Sequence, residues 1–165
     1  MGNILVIDDD LIIQKTINSA LTKEGHTVFT ASDGHAALEI VQKEELHLIV
    51  CDLNLPMGLP GLKLIKIFRE NPEIKNLPMM IVSSRRTEAD VLKGIDAGVD
   101  DYIIKPIDFD IFTAKVKSLL NRGSHTFTIS RVKATGFAAV KTELKIVGIS
   151  EEGLQFISSH AFEAD

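Results

Sequence analysis

Three consecutive aspartates, Asp8 to Asp10, follow a short aliphatic stretch, Ile4 to Ile7. Such a stretch is typical of a buried strand of a parallel sheet, which would deliver the carboxylates to one edge of that sheet. Clustered carboxylates repel one another unless a cation lies among them, and a hard divalent metal ion with oxygen ligands is the natural occupant. Aspartate also caps helices in this position, so the cluster alone leaves capping and metal binding both open.

Three more residues with reactive side chains close apolar stretches later in the chain: Asp52, Ser83 and Lys105. In an open parallel sheet, ligands bind beyond the carboxyl ends of the strands. We therefore expect these three side chains to converge with Asp8 and Asp9 at one edge.

The expected site would bind a divalent cation and a phosphoryl group. Asp8 and Asp9 would supply oxygen ligands to Mg²⁺, directly or through water. Asp52 is the candidate nucleophile, because a carboxylate can accept a phosphoryl group as an acyl phosphate. Lys105 and the Ser83 hydroxyl would then bind the phosphoryl oxygens.

Short apolar runs alternate with segments of helical period from residue 4 to about residue 120. These segments are the strands and helices that must position the side chains of the site. This pattern predicts a parallel sheet of five strands with five helices covering both faces. Asp10 is assigned to the start of the first helix and Ser32 to the N-cap of the second. The last helix, residues 108–120, is predicted to bury Ile111 together with Phe112.

After residue 121 the pattern changes to a period of two, which indicates strands. The predicted strands lie at residues 127–130, 144–146 and 154–157. We therefore divide the chain into a first domain, residues 1–121, and a β-rich extension, residues 122–165. An extension of this size is too small to fold on its own core, so we expect it to pack on another surface.

Composition narrows the function classes. The net charge of −5 lies entirely in residues 1–121, and neither part has the basic balance of a nucleic-acid-binding module. No apolar stretch approaches the roughly 20 residues of a membrane span. Residues 1–3 lead straight into the first predicted strand without a basic region ahead of a long apolar run, so we expect no signal peptide. The single cysteine, Cys51, fits a reducing compartment, so we expect a cytoplasmic protein. Because neither part of the chain is basic, we also expect no DNA-binding module.

Four stretches resemble the receiver domains of two-component response regulators. They are residues 4–10, 51–56, 80–84 and 101–106. The resemblance implies a flavodoxin-like sheet with the strand order 2-1-3-4-5 and phosphorylation of Asp52 by a sensor kinase histidine.

The same resemblance assigns further roles at the site. The Asp52 carboxylate and the backbone carbonyl of Asn54 would join Asp8 and Asp9 as Mg²⁺ ligands. Ser83 and Tyr102 would form the switch pair, and the peptide bond between Lys105 and Pro106 would be cis. One departure concerns Gly61, which follows Asp52 one residue later than in the family. We therefore expect the loop before it to bulge.

Within the extension, Ser150 and Gly153 resemble part of a PilZ domain, the family that binds cyclic di-GMP. Gly148 replaces the family's aspartate, and Arg131 lacks the second arginine because Thr135 stands in its place. Without paired arginines the two phosphates lose their bidentate partners. We therefore expect a degenerate or truncated PilZ-like module.

The sequence thus predicts a phosphorylation-dependent response regulator that is not an enzyme beyond its own phosphoryl transfer and slow dephosphorylation. Its expected partners are a sensor histidine kinase or phosphotransfer protein, and a downstream protein. A homodimer through the fourth helix, fifth strand and fifth helix, or through the extension, stays open. The alternatives are a phosphorylation-independent scaffold that acts through the extension and a cyclic di-GMP effector.

Overall fold

The computed structural model describes residues 1–56, 59–121, 144–150 and 153–158 of the chain. Strands and helices alternate in the first part. They are β1 (Asn3–Ile7), α1 (Leu11–Lys23), β2 (Thr27–Ala31), α2 (Gly34–Lys43), β3 (Leu48–Cys51), α3 (Gly61–Glu70), β4 (Met79–Ser83), α4 (Glu88–Asp96), β5 (Asp101–Ile104) and α5 (Phe109–Asn121).

The five strands form one parallel sheet in the order β2-β1-β3-β4-β5, which confirms the predicted flavodoxin-like architecture. The order reverses between β1 and β3, and this reversal opens a crevice at the carboxyl edge of the sheet. Ile7 pairs with Cys51 in the register of β1 and β3. The residues that follow these two, Asp8 and Asp52, therefore emerge side by side.

Two hydrophobic cores cover the two faces of the sheet, as expected for strands whose side chains alternate in direction. Leu5 and Ile7 of β1 lie in the core that includes Phe68 of α3. Ile4 and Val6 lie in the opposite core, together with Phe112 of α5. The central strands are thus buried on both sides, which holds their carboxyl ends in fixed positions.

The ends of the first two helices test the capping predictions. Asp10 is the N-cap of α1, and its carboxylate accepts hydrogen bonds from the backbone N–H groups of Ile12 and Ile13. Ser32 is not the N-cap of α2, so that prediction is wrong. Asp33 has the extended backbone of a cap and accepts from two N–H groups of the first turn, whereas the Ser32 hydroxyl accepts from Gln14.

The prediction that Ile111 is buried is also wrong. Its side chain is 53% exposed, whereas Phe112 is fully buried. The buried positions of α5 are Phe112, Val116 and Leu119, which follow the helical spacing of three and four residues. Ile111 lies about 100° away from Phe112 around the helix axis, so it faces away from the core.

The described part of the extension consists of β6 (Leu144–Ser150) and β7 (Gly153–Ser158), which pair as an antiparallel hairpin. The predicted strand at residues 127–130, and the residues Arg131 and Thr135 of the PilZ comparison, lie outside the described residues. The β-rich module and its PilZ-like character therefore stay predictions. Across the described ranges, no helix is long and apolar enough to cross a membrane.

Candidate functional site

Three aspartates meet at the carboxyl edge of the sheet. Asp8 follows β1 and is 2% exposed, and Asp52 follows β3 and is 4% exposed. Asp9 is exposed, and one oxygen from each of the three carboxylates lies within 4.8 Å of the others. The structure therefore brings together the three side chains that the sequence predicted as a cation site.

Lys105, directly after β5, reaches into this cluster. Its Nζ donates hydrogen bonds to Asp8 Oδ2 at 2.8 Å and to Asp52 Oδ2 at 2.5 Å. The peptide bond between Lys105 and Pro106 is cis, as the resemblance implied. The predicted convergence of Lys105 with the aspartates is thus present in the structure.

The pKa values of these groups reflect burial opposed by ion pairing. Desolvation raises the pKa of the Asp8 carboxyl group above its usual value, despite the opposing hydrogen bonds from Lys105 and from the Asp10 N–H. Burial alone would lower the pKa of Lys105, but its hydrogen bonds to Asp52 and Asp8 outweigh that cost and raise it. Lys105 therefore stays charged at neutral pH, as a residue that must bind anionic oxygens requires.

Gln14 of α1 makes buried hydrogen bonds at the carboxyl edge of the sheet, and the sequence analysis did not identify it as a site residue. Its buried Nε2 donates to the carbonyl oxygens of Asp8 and Ala31 and to the Ser32 hydroxyl. These bonds tie the ends of β1 and β2 to the first helix. The sequence did contain a sign of this role. Gln14 is a polar residue on the apolar face of the predicted first helix, next to Ile13 and three positions before Ile17.

Asn54 lies two residues after Asp52, the candidate phosphoacceptor, and makes three hydrogen bonds at the site. Its backbone N–H donates to Asp52 Oδ1 at 2.9 Å, and its Nδ2 donates to the Ser84 hydroxyl at 3.1 Å. Its Oδ1 accepts a hydrogen bond of 2.8 Å from Nε of Arg85. Ser84 and Arg85 are further site residues that the sequence analysis missed. The only indication in the sequence was that they directly follow Ser83, a predicted site residue.

Ser83 and Tyr102 lie on the neighbouring strands β4 and β5. Ser83 is fully buried at the end of β4. The Tyr102 hydroxyl donates to the backbone carbonyl of Arg85 at 2.7 Å. Burial raises the pKa of that hydroxyl, and the charge of Asp90 adds to the increase, while a hydrogen bond with Ser83 opposes it. The two residues of the predicted switch pair are therefore adjacent, and their switching role stays a prediction.

Gly61 explains how the loop after β3 returns to α3. A Cβ at this position would lie 2.1 Å from the carbonyl oxygen of Asp52, so only glycine permits this approach. The predicted bulge falls partly on residues 57–58, which lie outside the described ranges. Leu59 contacts the start of α2, since a Cβ on Gly34 would lie 2.8 Å from the Leu59 Cβ. The described end of the loop thus packs against α2.

This arrangement can hold a hard cation beside a nucleophile. Carboxylate oxygens are ligands that Mg²⁺ prefers, and the three aspartates outnumber the single ammonium group of Lys105. The donor set of the site therefore fits a divalent ion.

Curated proteins from two bacteria are similar to most of the chain. Transcriptional regulatory protein AfsQ1 of Streptomyces coelicolor is 32% identical over 130 residues, which cover 79% of this chain and 56% of that protein. Two-component response regulator PhoP of Pseudomonas aeruginosa is 35% identical over 121 residues, 73% of this chain and 52% of that protein. The chain thus spans about half the length of these curated relatives.

These relatives correct one expectation. From the charge balance we predicted that the protein has no DNA-binding module. That exclusion is wrong, because relatives such as AfsQ1 are transcriptional regulators by name and the chain covers only about half of their length. An acidic receiver-like segment carries no information on the charge of an output segment, so the inference had no physical basis.

The family assignment rests on sequence and structure together. A solved receiver domain of Francisella response regulator 1452 matches with a TM-score of 0.69 at 31% identity, covering 74% of this chain and 99% of that one. The family model described as response regulator receiver domain matches residues 4–117. This range includes residues of all five strands of the parallel sheet and the whole acidic site. The chain belongs to the response regulator receiver domain family.

Proposed function

We propose that the protein is a phosphorylation-dependent response regulator of a two-component system that accepts a phosphoryl group on Asp52. The observation that supports this proposal is the environment of the Asp52 carboxylate. It lies almost buried at the crevice of the sheet, close to Asp8 and Asp9, and accepts a hydrogen bond from Lys105. The relatives include two-component response regulators, which agrees with the proposed reaction.

Mg²⁺ is the proposed cofactor. Asp8, Asp9 and Asp52 would hold it through their carboxylates, and Asn54 would contribute its backbone carbonyl. The fit rests on the hard oxygen donors and on an excess of carboxylates over ammonium groups. When bound, the ion would offset the repulsion between the carboxylates and an incoming phosphate.

The chain's own residues account for the transfer step. One oxygen of the Asp52 carboxylate would form a bond to phosphorus, while the bond from phosphorus to the leaving oxygen breaks. The electron pair of that bond departs with the leaving group, which from an acyl phosphate donor is a carboxylate, so no proton needs to move. Lys105 already donates to an Asp52 oxygen and would follow the charge onto the phosphoryl oxygens.

Ser83 and Tyr102 would convert the modification into a change of surface. The buried Ser83 hydroxyl would donate to a phosphoryl oxygen, and Tyr102, which is hydrogen-bonded to the Arg85 carbonyl, would adjust to the new position of the loop after β4. Phosphorylation would thereby favour one of two arrangements of α4 and β5.

Intact mass after incubation with Mg²⁺ and acetyl phosphate tests the proposal. The wild-type chain should gain one phosphoryl group, and Asp52→Asn should gain none because an amide oxygen is a poor nucleophile. Asp108→Asn is a matched control, since Asp108 caps the first turn of α5 on the same edge of the sheet and asparagine caps equally well. An unmodified wild-type mass, or modification of Asp52→Asn to the wild-type level, would overturn the proposal.

A further inference from the structure

Gln14 is a buried polar residue to which the proposed reaction assigns no role. Four polar or charged side chains are buried in the described ranges, and three of them, Asp8, Asp52 and Ser83, belong to the proposed site. Gln14, the fourth, is 6% exposed. Burying an amide costs free energy unless it forms hydrogen bonds, so the partners of this side chain indicate what it stabilises.

The Gln14 amide extends the hydrogen bonding between β1 and β2 beyond their last pair, Ile7 and Ala31. The N–H group of Asp8 donates to the Ala31 carbonyl at 3.1 Å, which continues the parallel ladder by one step. Gln14 Nε2 donates to that same carbonyl at 3.2 Å and to the carbonyl of Asp8 as well. The amide therefore holds the backbone of Asp8 at the point where the sheet ends.

The Asp8 carbonyl belongs to the peptide that joins two proposed ligands of Mg²⁺. Because a peptide unit is planar, holding its oxygen also fixes the Cα atoms of Asp8 and Asp9 relative to it. The Asp8 carboxylate is held further by the Asp10 N–H group and by Lys105. The exposed Asp9 side chain makes no hydrogen bond or ion pair in the described part of the chain, so its position depends on this backbone.

The coordination of Mg²⁺ requires ligands in fixed positions. This ion takes oxygen ligands at about 2.0–2.1 Å in near-ideal octahedral geometry, whereas Ca²⁺ accepts about 2.3–2.6 Å and a flexible arrangement. Replacing a residue that orients metal ligands typically changes metal affinity by about 10- to 100-fold. A side chain that fixes the backbone of two ligands should therefore matter more for the smaller ion.

We propose that Gln14 is a positioning residue of the acidic site, which holds the peptide between Asp8 and Asp9 and thereby favours Mg²⁺ over the larger Ca²⁺. This role deepens the proposed function and rests on it. Gln14 acts through the backbone of Asp8 and Asp9, whereas the carboxylates themselves bind the ion.

Titration of the full chain with MgCl₂ and, separately, with CaCl₂, followed by nuclear magnetic resonance, tests this inference. Gln14→Met has a similar volume but no donor, and it should weaken Mg²⁺ binding by about 10-fold. Ca²⁺ binding should weaken by about 3-fold or less, because the coordination of Ca²⁺ adapts to displaced ligands. Since Gln14 is uncharged, the ratio of variant to wild-type Mg²⁺ affinity should be the same at about 0.05 M and about 0.5 M salt.

Ser32→Ala is the matched control. It removes the hydroxyl partner of Gln14 Nε2 at an exposed position and leaves the bond to the Asp8 carbonyl in place. This variant should change Mg²⁺ affinity by less than about 2-fold, because it does not release a ligand. Gln14→Asn keeps an amide but withdraws it by one methylene group, so it should also weaken Mg²⁺ binding. It decides the question if Gln14→Met does not fold.

The same spectra show which variants are folded. The inference is overturned if a folded Gln14 variant binds Mg²⁺ with wild-type affinity, if the affinities for Mg²⁺ and Ca²⁺ fall by the same factor, or if Ser32→Ala loses as much as Gln14→Met. It is also overturned if neither Gln14 variant folds, because the residue then serves the sheet and not the ligands. A wild-type chain that binds no Mg²⁺ refutes the proposed cofactor itself, which separates the two failures.

Discussion

The Asp8 carboxylate occupies an electrostatically costly position. It is almost fully buried beside Asp52, and the two share one ammonium group, that of Lys105. Desolvation raises the pKa of Asp8, so the folded protein without a metal ion favours the protonated form of this group more than the unfolded chain does. Under the proposed function, Asp8 serves as a ligand of Mg²⁺, and its carboxylate lowers the stability of the fold when the ion is absent.

Asp8→Asn should therefore stabilise the metal-free protein at pH 7 by about 1 kcal/mol, the typical size of a single-residue effect. Because the folded-state pKa of Asp8 is raised, its stabilising contribution is present at low pH and is lost as pH rises through that pKa. The gain from Asp8→Asn should accordingly be smaller at an acidic pH, nearer the ordinary pKa of an aspartate carboxyl group, than at pH 7. Urea unfolding in the presence of a chelator measures both effects.

The control for this prediction is Asp10→Asn, which keeps a capping side chain on α1 at an exposed position. It should change the free energy of unfolding by less than about 0.5 kcal/mol at either pH. If Asp8→Asn is less stable than wild type at pH 7 without metal, Asp8 contributes to folding through its hydrogen bonds more than it costs in charge.

At the scale of strands and helices, the sequence was most informative where a pattern of residues fits only one structural element. Apolar runs ending in Asp8, Asp52 and Lys105 predicted the sheet and the convergence of its edge, because parallel strands deliver their last residues to the same side. The N-cap of α2 could not be predicted, since Ser32 and Asp33 are both good caps and a tertiary hydrogen bond from Gln14 decides between them.

Contacts between loops were equally beyond the sequence. The bond from Arg85 to Asn54 joins loops after two different strands, and it depends on side-chain conformations that no periodicity encodes. Ile111 was misassigned because apolar residues occupy both Ile111 and Phe112, and only the packing of α5 selects the latter. Patterning thus located the elements, whereas their exact rotation and their loop contacts required the structure.

The approach of α3 to the end of β3 gives a prediction at this scale. Gly61→Ala would place a Cβ 2.1 Å from the Asp52 carbonyl oxygen and 2.8 Å from the Leu53 Cα, and both atoms belong to the backbone. The loop must shift, which should destabilise the protein by about 1–3 kcal/mol, the usual cost of overpacking. Phosphorylation by acetyl phosphate should also slow, because Asp52 moves with its carbonyl.

Gly2→Ala is the matched control for that change. Its added Cβ would lie 3.2 Å from Cδ2 of Leu120, a side-chain atom that can move. The expected loss in the free energy of unfolding is below about 0.5 kcal/mol, measured by urea unfolding. Equal stability of the two alanine variants would show that the loop after Asp52 yields without cost.

Over the whole receiver unit, the site exists only when the sheet is complete. Asp8, Asp52 and Lys105 directly follow β1, β3 and β5. The hydrogen bond from Lys105 to Asp8 joins residues that are 97 positions apart in the sequence. The unfolded chain cannot reproduce this set of ligands. A cation that binds here therefore binds the folded state alone, and its binding energy adds to the stability of the fold.

The proposed Mg²⁺ site should thus stabilise the chain by an amount that rises with the logarithm of the ion concentration and reaches about 2.7 kcal/mol at a hundredfold excess over the dissociation constant. Asp9→Asn separates this effect from structural damage, because Asp9 is exposed and makes no hydrogen bond or ion pair among the described residues. With a chelator, Asp9→Asn should unfold at the wild-type urea midpoint or slightly above it. With Mg²⁺, its midpoint should rise much less than that of wild type. If Mg²⁺ raises both midpoints equally, Asp9 is not a ligand, and the acidic edge of the sheet holds its cation without it.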